Sequence, residues 1–156
     1  MDIGVFVLDT GSALDPAVLA KRAEDLGFAS FWVPEHTVIP SHYTTPWLRD
    51  PSRELPQGYY WIADPFITLS RAAGATRTIR LGTAISLLPE RNPLLLAKTL
   101  ATLDQQSGGR LIYGIGVGWL KEELEIMGGD YPHRGTQAME GLRVLKELWT
   151  KDEVEY

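Results

Sequence analysis

The sequence predicts an α/β fold in which four successive β/α units build a parallel sheet. Short apolar runs, nearly continuous, alternate four times with segments of helical periodicity. Three of the helices also begin with Asp or Asn followed by Pro, a pair that is typical of helix N-termini. Regular alternation of this kind is typical of either a doubly wound sheet or a (β/α)8 barrel.

The elements of the first two units follow from their local patterns. Residues 3–8 form an apolar run that is typical of a parallel strand covered on both faces. A helix begins at Pro16, because proline gives up an N–H that has no partner in the first turn, and it ends at Gly27, which suits a left-handed residue. The second strand spans residues 30–34, and its helix begins at Pro65 and runs to about residue 75.

The third and fourth units repeat this order. The third strand is predicted over residues 79–88, and its helix begins at Pro93 and ends at Gly108. The fourth strand spans residues 111–117. The last helix carries apolar residues at helical spacing, namely Ala138, Leu142, Leu145 and Trp149.

The number of units sets the expected architecture. A (β/α)8 barrel has eight β/α units in about 250 residues, whereas this sequence has four units in 156 residues. A four-stranded parallel arc would leave two apolar edges exposed. We therefore expect residues 1–156 to be half of a barrel, which is either a fragment or a half-barrel that closes in a homodimer or with the missing half.

One connection, residues 37–63, is longer than a structureless loop in a compact domain. It contains four of the ten prolines and five large aromatic residues, Tyr43, Trp47, Tyr59, Tyr60 and Trp61. Aromatic residues argue against disorder, because disordered chains contain few of them. We expect an ordered lid over a pocket; an insertion that packs on the surface is the alternative.

Composition and charge exclude several classes of function. The formal net charge of −5 at pH 7 gives no basic surface for nucleic acid or an anionic membrane, and no apolar run is long enough for a membrane span. Without cysteine, and with three histidines that lack ligand spacing, no metal site is expected. The absence of cysteine also fits a reducing cytosol, so we expect a cytoplasmic protein.

Chemically useful groups follow three of the predicted strands. Glu35 and His36 follow the second strand, residues 84–89 end the third, and residues 116–122 follow the fourth. Because the carboxyl ends of parallel strands lie on one rim, these segments are expected to converge on one site. A histidine there could exchange a proton near neutral pH; a rim histidine that only bonds a neighbouring loop is the other interpretation.

The fourth strand ends in glycine at every second position, Gly114, Gly116 and Gly118. The pattern is not the dinucleotide fingerprint, because position 119 is tryptophan. Glycine there allows either the close approach of a ligand to the backbone or tight packing at a barrel corner.

Five segments together carry a resemblance to a known family. They read FWVPEH at 31–36, LGTAI at 81–85, RNPLLLAK at 91–98, LDQQSGGRL at 103–111 and GIGVGW at 114–119. In order and spacing the whole chain resembles the first half of the luciferase-like monooxygenase superfamily, and within it the coenzyme F420-dependent oxidoreductases. The resemblance implies a (β/α)8 barrel that binds FMN or the deazaflavin coenzyme F420 at the carboxyl rim.

The resemblance also implies roles for individual residues. His36 matches a proton donor or an anchor of the reactive intermediate, and Glu35 matches an acidic residue that touches the cofactor ring. Ala84 and Ile85 match a non-prolyl cis peptide that forms a bulge behind the ring. Further cofactor contacts are implied for Ser86, Leu87, Val117, Gly118 and, more loosely, Glu122.

Two positions favour one branch of the superfamily. The luciferases proper have an arginine for the flavin phosphate where this chain has Val117, which cannot supply a charge-assisted hydrogen bond. The sugar-phosphate dehydrogenases have a glutamate acid/base where this chain has Trp119. The resemblance therefore implies an F420-dependent oxidoreductase that transfers a hydride between the deazaflavin and an unidentified organic substrate. An FMN-dependent luciferase-like monooxygenase and a catalytically silent half-barrel that acts as an assembly unit remain as alternatives.

Overall fold

The structure, a computed structural model, describes residues 1–11, 14–50, 52 and 54–155. Its elements are β1 (Gly4–Phe6), α1 (Pro16–Asp25), β2 (Ser30–Val33), α2 (Pro65–Ala75), β3 (Arg80–Thr83), β4 (Ser86–Leu87), α3 (Pro93–Ser107), β5 (Leu111–Ile112), β6 (Ile115–Gly116), α4 (Lys121–Ile126) and α5 (Arg134–Thr150). Four strands form a parallel sheet in the order β1-β2-β3-β5, and β4 pairs in parallel with β6. The predicted alternation of strands and helices is confirmed.

The third and fourth predicted strands are each divided in two. A cis peptide bond between Ala84 and Ile85 lies between β3 and β4. Beside it, the Thr83 hydroxyl donates to the Gly114 carbonyl oxygen at 2.7 Å and accepts from the Gly114 N–H at 3.0 Å. Two unbroken strands would pair here through the backbones of Thr83 and Gly114, but the Thr83 side chain makes these bonds instead. The predictions of single strands over 79–88 and 111–117 are therefore wrong in their extent.

The predicted Asp-Pro and Asn-Pro helix starts are confirmed. The side chains of Asp15, Asp64 and Asn92 accept hydrogen bonds from backbone N–H groups in the first turns of α1, α2 and α3, and a cap of this type contributes about 1 kcal/mol. The predicted helix end at Gly108 has the left-handed φ of 75°. None of the helices in the described part of the chain is long and apolar enough to cross a bilayer.

The core lies between the four-stranded sheet and the helices packed against it. Fully buried apolar side chains come from the sheet (Phe31, Leu81), from α2 (Leu69) and from α5 (Leu145). Burial of each such side chain contributes roughly 1.5–3 kcal/mol, so this layer fixes the strands whose ends form the rim. By contrast, Phe6, the last residue of β1, is 56% exposed and does not belong to this core.

Residues 37–63, the lid segment, connect β2 to α2, and within it Pro51 and Arg53 lie outside the described residues. Two 3₁₀ turns, Trp47–Arg49 and Gln57–Trp61, give it regular structure. The Trp47 and Tyr59 rings meet edge to face with their centroids 5.8 Å apart, and the Tyr59 ring lies 5.5 Å from that of His36. These contacts place the described part of the segment beside the strand end at His36, and its role as a lid stays a prediction.

Candidate functional site

A pocket of about 390 Å³ lies at the carboxyl rim, between the strand ends and the lid segment. This rim pocket is lined by Phe6, Pro34, Glu35, His36, Trp47, Leu48, Tyr59, Ala84, Ile85, Leu87, Val117, Gly118 and Trp119. Seven of the nine residues predicted for the site are among them, so the expected convergence of three strand ends is confirmed. The exceptions are Ser86 and Glu122.

His36 is held from both sides of its ring. Its Nδ1 lies 2.5 Å from an oxygen of Glu123, and the Trp119 indole N–H donates to Nε2 at 3.3 Å. Because an indole nitrogen can only donate, Nε2 is the acceptor nitrogen and Nδ1 carries the proton that is donated to Glu123. His36 therefore presents an unprotonated Nε2 at the wall of the rim pocket.

Glu123 is the residue that orients His36, and the sequence did not reveal it. Its side chain is 1% exposed. The oxygen that does not face the imidazole accepts from the backbone N–H groups of Thr37 at 2.7 Å and Val38 at 3.2 Å. The carboxylate thus joins α4 to the start of the lid segment and fixes the tautomer of the histidine.

The floor of the rim pocket is built around the cis peptide between Ala84 and Ile85. The Ile85 side chain is 43% exposed, and its Cδ1 lies so close to Gly116 that a Cβ there would be 1.8 Å away. Glycine at position 116 is therefore required by close packing against Ile85. The interpretation that the alternating glycines serve tight packing holds at this position.

The carboxylate of Glu35 is occupied by protein groups. One oxygen forms an ion pair with Arg91, and the other accepts from the Ser86 hydroxyl and the Leu87 N–H, both at 2.6 Å. Burial acts to lower the pKa of Arg91, but the hydrogen bond and charge of Glu35 outweigh it and raise the pKa. The carboxylate thus joins the end of β2 to β4, and a contact between Glu35 and a cofactor ring would have to involve its other atoms.

The cofactor contacts implied for Ser86 and Glu122 stay predictions, and the side chains of both residues are engaged by other protein groups. Ser86 is fully buried, with its hydroxyl bonded to Glu35 and 3.3 Å from the Tyr113 hydroxyl, so it lies behind the pocket wall. Glu122 turns towards the lid segment, where it accepts from the N–H of Thr44 at 2.6 Å and the hydroxyl of Thr45 at 2.8 Å. Neither side chain is part of the pocket lining.

The bonds to Glu122 also change its ionisation. Burial acts to raise the pKa of Glu122, but the hydrogen bonds from the Thr44 backbone and the Thr45 hydroxyl outweigh it and lower the pKa to about 2. The side chain is therefore an anionic anchor for the lid segment at neutral pH.

A larger groove, of about 530 Å³, lies between α3 and α5 and includes Leu100, Tyr113 and Trp149. None of the predicted rim residues lines it. Volume alone would favour this groove, but the convergence of strand ends, the fixed histidine and the buried carboxylates favour the rim pocket.

Residues 1–156 match the sequence profile of the family described as luciferase-like monooxygenase. The chain belongs to the luciferase-like monooxygenase family. An uncharacterized protein of Mycobacterium tuberculosis is 38% identical over 157 residues, which cover 100% of this chain and 56% of that protein. The chain therefore spans about half the length of this relative.

Two solved structures extend the comparison. Monooxygenase RslO1 from Streptomyces bottropensis has a TM-score of 0.79 and 27% identity, covering 100% of this chain and 45% of that one. An F420-dependent secondary alcohol dehydrogenase, in complex with an F420-acetone adduct, has a TM-score of 0.75 and 27% identity, covering 99% of this chain and 44% of that one. The predicted fold class is confirmed: the chain is a partial (β/α)8 barrel of four β/α units, in a family of oxidoreductases and monooxygenases.

Proposed function

We propose that this luciferase-like protein is a coenzyme F420-dependent oxidoreductase that transfers a hydride between the deazaflavin and an organic substrate. The observation that carries the proposal is the rim pocket, where a histidine fixed by a buried glutamate faces an apolar wall built on a cis peptide. The similarity to an F420-dependent secondary alcohol dehydrogenase supports the same reaction class.

The rim pocket suits a flat, largely apolar ring. Its volume of about 390 Å³ lies within the range of small-molecule sites. Ile85, Leu87 and Val117 offer apolar contact on one side, and Tyr59 and Trp119 offer aromatic contact on another. Ala84, Ile85, Val117 and Gly118 would hold the ring, which supplies the hydride chemistry when bound.

The pocket favours the deazaflavin over FMN because of the residue at position 117. Val117 is 37% exposed and cannot form a charge-assisted bond to a phosphate, whereas the luciferases proper are expected to carry an arginine here. Among the described residues that line the rim pocket, none is an arginine or a lysine. The cofactor's phosphate groups would therefore bind elsewhere.

His36 would move the proton that accompanies hydride transfer. In substrate oxidation, Nε2 accepts the proton of a substrate hydroxyl after the 3.3 Å bond from Trp119 is displaced. Glu123 keeps the ring oriented and places a negative charge beside the cation that forms. In substrate reduction the same nitrogen returns the proton.

The test is F420-linked turnover with small secondary alcohols and carbonyl compounds, followed through the deazaflavin absorbance. We expect His36→Ala to lower kcat by about 10²- to 10⁴-fold, the usual range for the loss of a general acid or base. The matched control is His133→Ala, which removes an exposed histidine that pairs with Asp130 on the surface. Full turnover by His36→Ala would remove the proton-transfer role.

An FMN-dependent monooxygenase is the second candidate, and the structural similarity to monooxygenase RslO1 favours it. The same assays distinguish the two functions. Oxygen consumption that depends on FMN, without any F420-linked turnover, would replace the first proposal by the second.

A further inference from the structure

Glu90 is a buried carboxyl group that the proposed reaction does not yet use. It lies in the short turn between β4 and α3 and is 5% exposed. Within the described part of the chain, neither of its carboxyl oxygens has a hydrogen-bond partner of good geometry. Buried polar atoms in folded proteins are nearly always hydrogen-bonded, so this exception calls for an explanation.

Glu90 stands between two cavities. On the outside it lines a cleft of about 270 Å³, the outer cleft, together with Thr37, Asp64, Arg91 and other residues. On the inside it lies next to Gly118, where an added Cβ would be 3.5 Å from Oε1 of Glu90. Because Gly118 lines the rim pocket, the Glu90 carboxyl group lies directly behind this part of the pocket wall, on the side of the outer cleft.

Burial and two neighbouring carboxylates keep Glu90 in its neutral form. Burial, then the carboxylate of Glu123, then that of Glu35 raise the pKa of Glu90 to about 8, against the opposing effects of the Thr37 hydroxyl and of Arg91. Asp64 lines the same outer cleft, and as an acidic residue it supplies no positive charge that would favour ionisation of Glu90. A neutral carboxyl group can donate a proton from one oxygen while it accepts one on the other.

Thr37 links this carboxyl group to the histidine. Its backbone N–H donates to Glu123 at 2.7 Å, and Glu123 holds Nδ1 of His36 at 2.5 Å. The Thr37 hydroxyl is close enough to Glu90 to lower the pKa of that carboxyl group, and Thr37 also lines the outer cleft. Thr37 therefore lies beside both carboxyl groups, that of Glu123 next to His36 and that of Glu90 next to the outer cleft.

We propose that Glu90 relays protons between the His36–Glu123 pair and solvent in the outer cleft. The inference rests on the proposed function for the role of His36 as the group that exchanges a proton with the substrate. It adds a proton path that avoids the rim pocket, which the cofactor and substrate would fill.

Each proton transfer in this path balances. When Nε2 of His36 gains a proton, Nδ1 passes its own proton to Glu123, and Glu123 passes one to Glu90, directly or through the Thr37 hydroxyl. Glu90 releases the proton of its other oxygen to the outer cleft. Every group gains one proton and loses one, and His36 is left with its proton on Nε2. The reverse order supplies that proton for substrate reduction and returns the His36 proton to Nδ1.

The first test uses the unmodified protein without cofactor. Carbon NMR of the glutamate side chains, recorded across pH, should show the Glu90 carboxyl titrating near pH 8. A midpoint near the ordinary glutamate value would overturn the proposal, because an ionised, solvated Glu90 would not be the buried acid that the path requires.

The second test measures how fast the Nδ1 proton of His36 exchanges with water, in protein labelled with ¹⁵N-histidine. Glu90→Gln keeps the shape but cannot relay, and it should slow the exchange about tenfold or more. The control is Glu125→Gln in α4, the helix that also carries Glu123. The Glu125 side chain is exposed and pairs with Lys121, so this substitution should leave the exchange rate unchanged.

Exchange at the unmodified rate in Glu90→Gln would overturn the relay, and so would equal slowing by both substitutions. Because neither measurement contains cofactor or substrate, failure of F420-linked turnover would not change these results. The relay and the proposed function can therefore fail separately.

Discussion

At the level of single residues, the bonds on the two sides of the His36 ring differ in strength. The contact of Nδ1 with Glu123 is short, at 2.5 Å, and buried, whereas the bond from Trp119 to Nε2 is long, at 3.3 Å. A bond to a charged group is roughly twice as strong as a neutral one, so a substrate can displace Trp119 without disturbing Glu123. The geometry keeps one nitrogen fixed and leaves the other available.

A substitution at Val117 tests why the pocket would select one cofactor. Val117→Arg introduces the cation that the luciferases proper are expected to use for the flavin phosphate. A hydrogen bond to a charged group contributes about 1.5–3 kcal/mol, or roughly 10- to 100-fold in Kd. We expect Val117→Arg to bind FMN more tightly by about this factor, as measured by fluorescence titration.

The control for this prediction is Val117→Gln, which adds length without charge and should leave the affinity for FMN nearly unchanged. If Val117→Arg bound FMN no more tightly than the unmodified protein, the residue at position 117 would not explain the choice of cofactor.

Sequence reasoning found His36 and implied a loose cofactor contact for Glu122, but it did not single out Glu123 as the partner of the histidine. The two residues are adjacent, and nothing in their local pattern separates them. Successive residues on a helix point about 100° apart. Once α4 forms, Glu123 therefore faces the histidine and Glu122 faces the lid segment. That helix was not predicted, so the direction of each carboxylate could not be predicted either.

At the level of elements, α4 clamps the lid segment through two adjacent carboxylates. Glu123 accepts from the backbone of Thr37 and Val38, and Glu122 accepts from Thr44 and Thr45. The beginning of the lid segment is thus fixed to the rim at two points. Its later part is held by aromatic packing between Trp47 and Tyr59.

Removal of the Glu122 anchor should loosen the lid segment without unfolding the barrel. We expect Glu122→Ala to speed hydrogen–deuterium exchange within residues 37–63, by about tenfold if the anchor contributes about 1.4 kcal/mol to local stability. Mass spectrometry of peptides from this segment measures the effect. Glu125→Ala, an exposed glutamate of the same helix, should not change it.

The anchor should also depend on pH. Because the pKa of Glu122 is lowered from 4.5 to about 2 in the folded protein, its stabilising effect is present above about pH 4.5 and is lost as pH falls towards 2. The protection of lid-segment amides, which is the intrinsic exchange rate at each pH relative to the measured rate, should therefore fall as pH falls through this range in the unmodified protein. Protection in Glu122→Ala should not show this fall. Equal pH dependence in both would contradict the anchoring role.

The helices were easier to predict than the strands. Asp15, Asp64 and Asn92 mark helix starts through local hydrogen bonds that depend only on nearby residues. The breaks at Thr83 and Gly114 depend instead on a contact between residues 31 positions apart. A continuous apolar run gives no local sign of such a contact.

At the level of the whole molecule, the rim concentrates three buried carboxyl groups, Glu35, Glu90 and Glu123, close to one arginine and one histidine. Arg91 neutralises Glu35, and His36 donates to Glu123. Glu90 lacks such a partner among the described residues and is held as a neutral acid. The three carboxyl groups of this wall therefore differ in their partners, and only Glu90 lacks a charged or imidazole partner of its own among the described residues.

The partial barrel, the rim and most of the pocket lining could be predicted because they follow from the order of the elements. The expectations that concern the rest of a barrel are different. Closure in a homodimer or with a further half stays a prediction, and so does a cytoplasmic location. No contact within the described residues determines either of them.

The most direct test of the proposed cofactor is a parallel fluorescence titration of the purified protein with coenzyme F420 and with FMN. The rim pocket, with Val117 in place of a phosphate-binding arginine, predicts saturable binding with a lower Kd for F420. Saturable binding of FMN without binding of F420 would contradict the account and favour the monooxygenase. Failure of the folded protein to bind either would contradict the assignment of this pocket as a cofactor site.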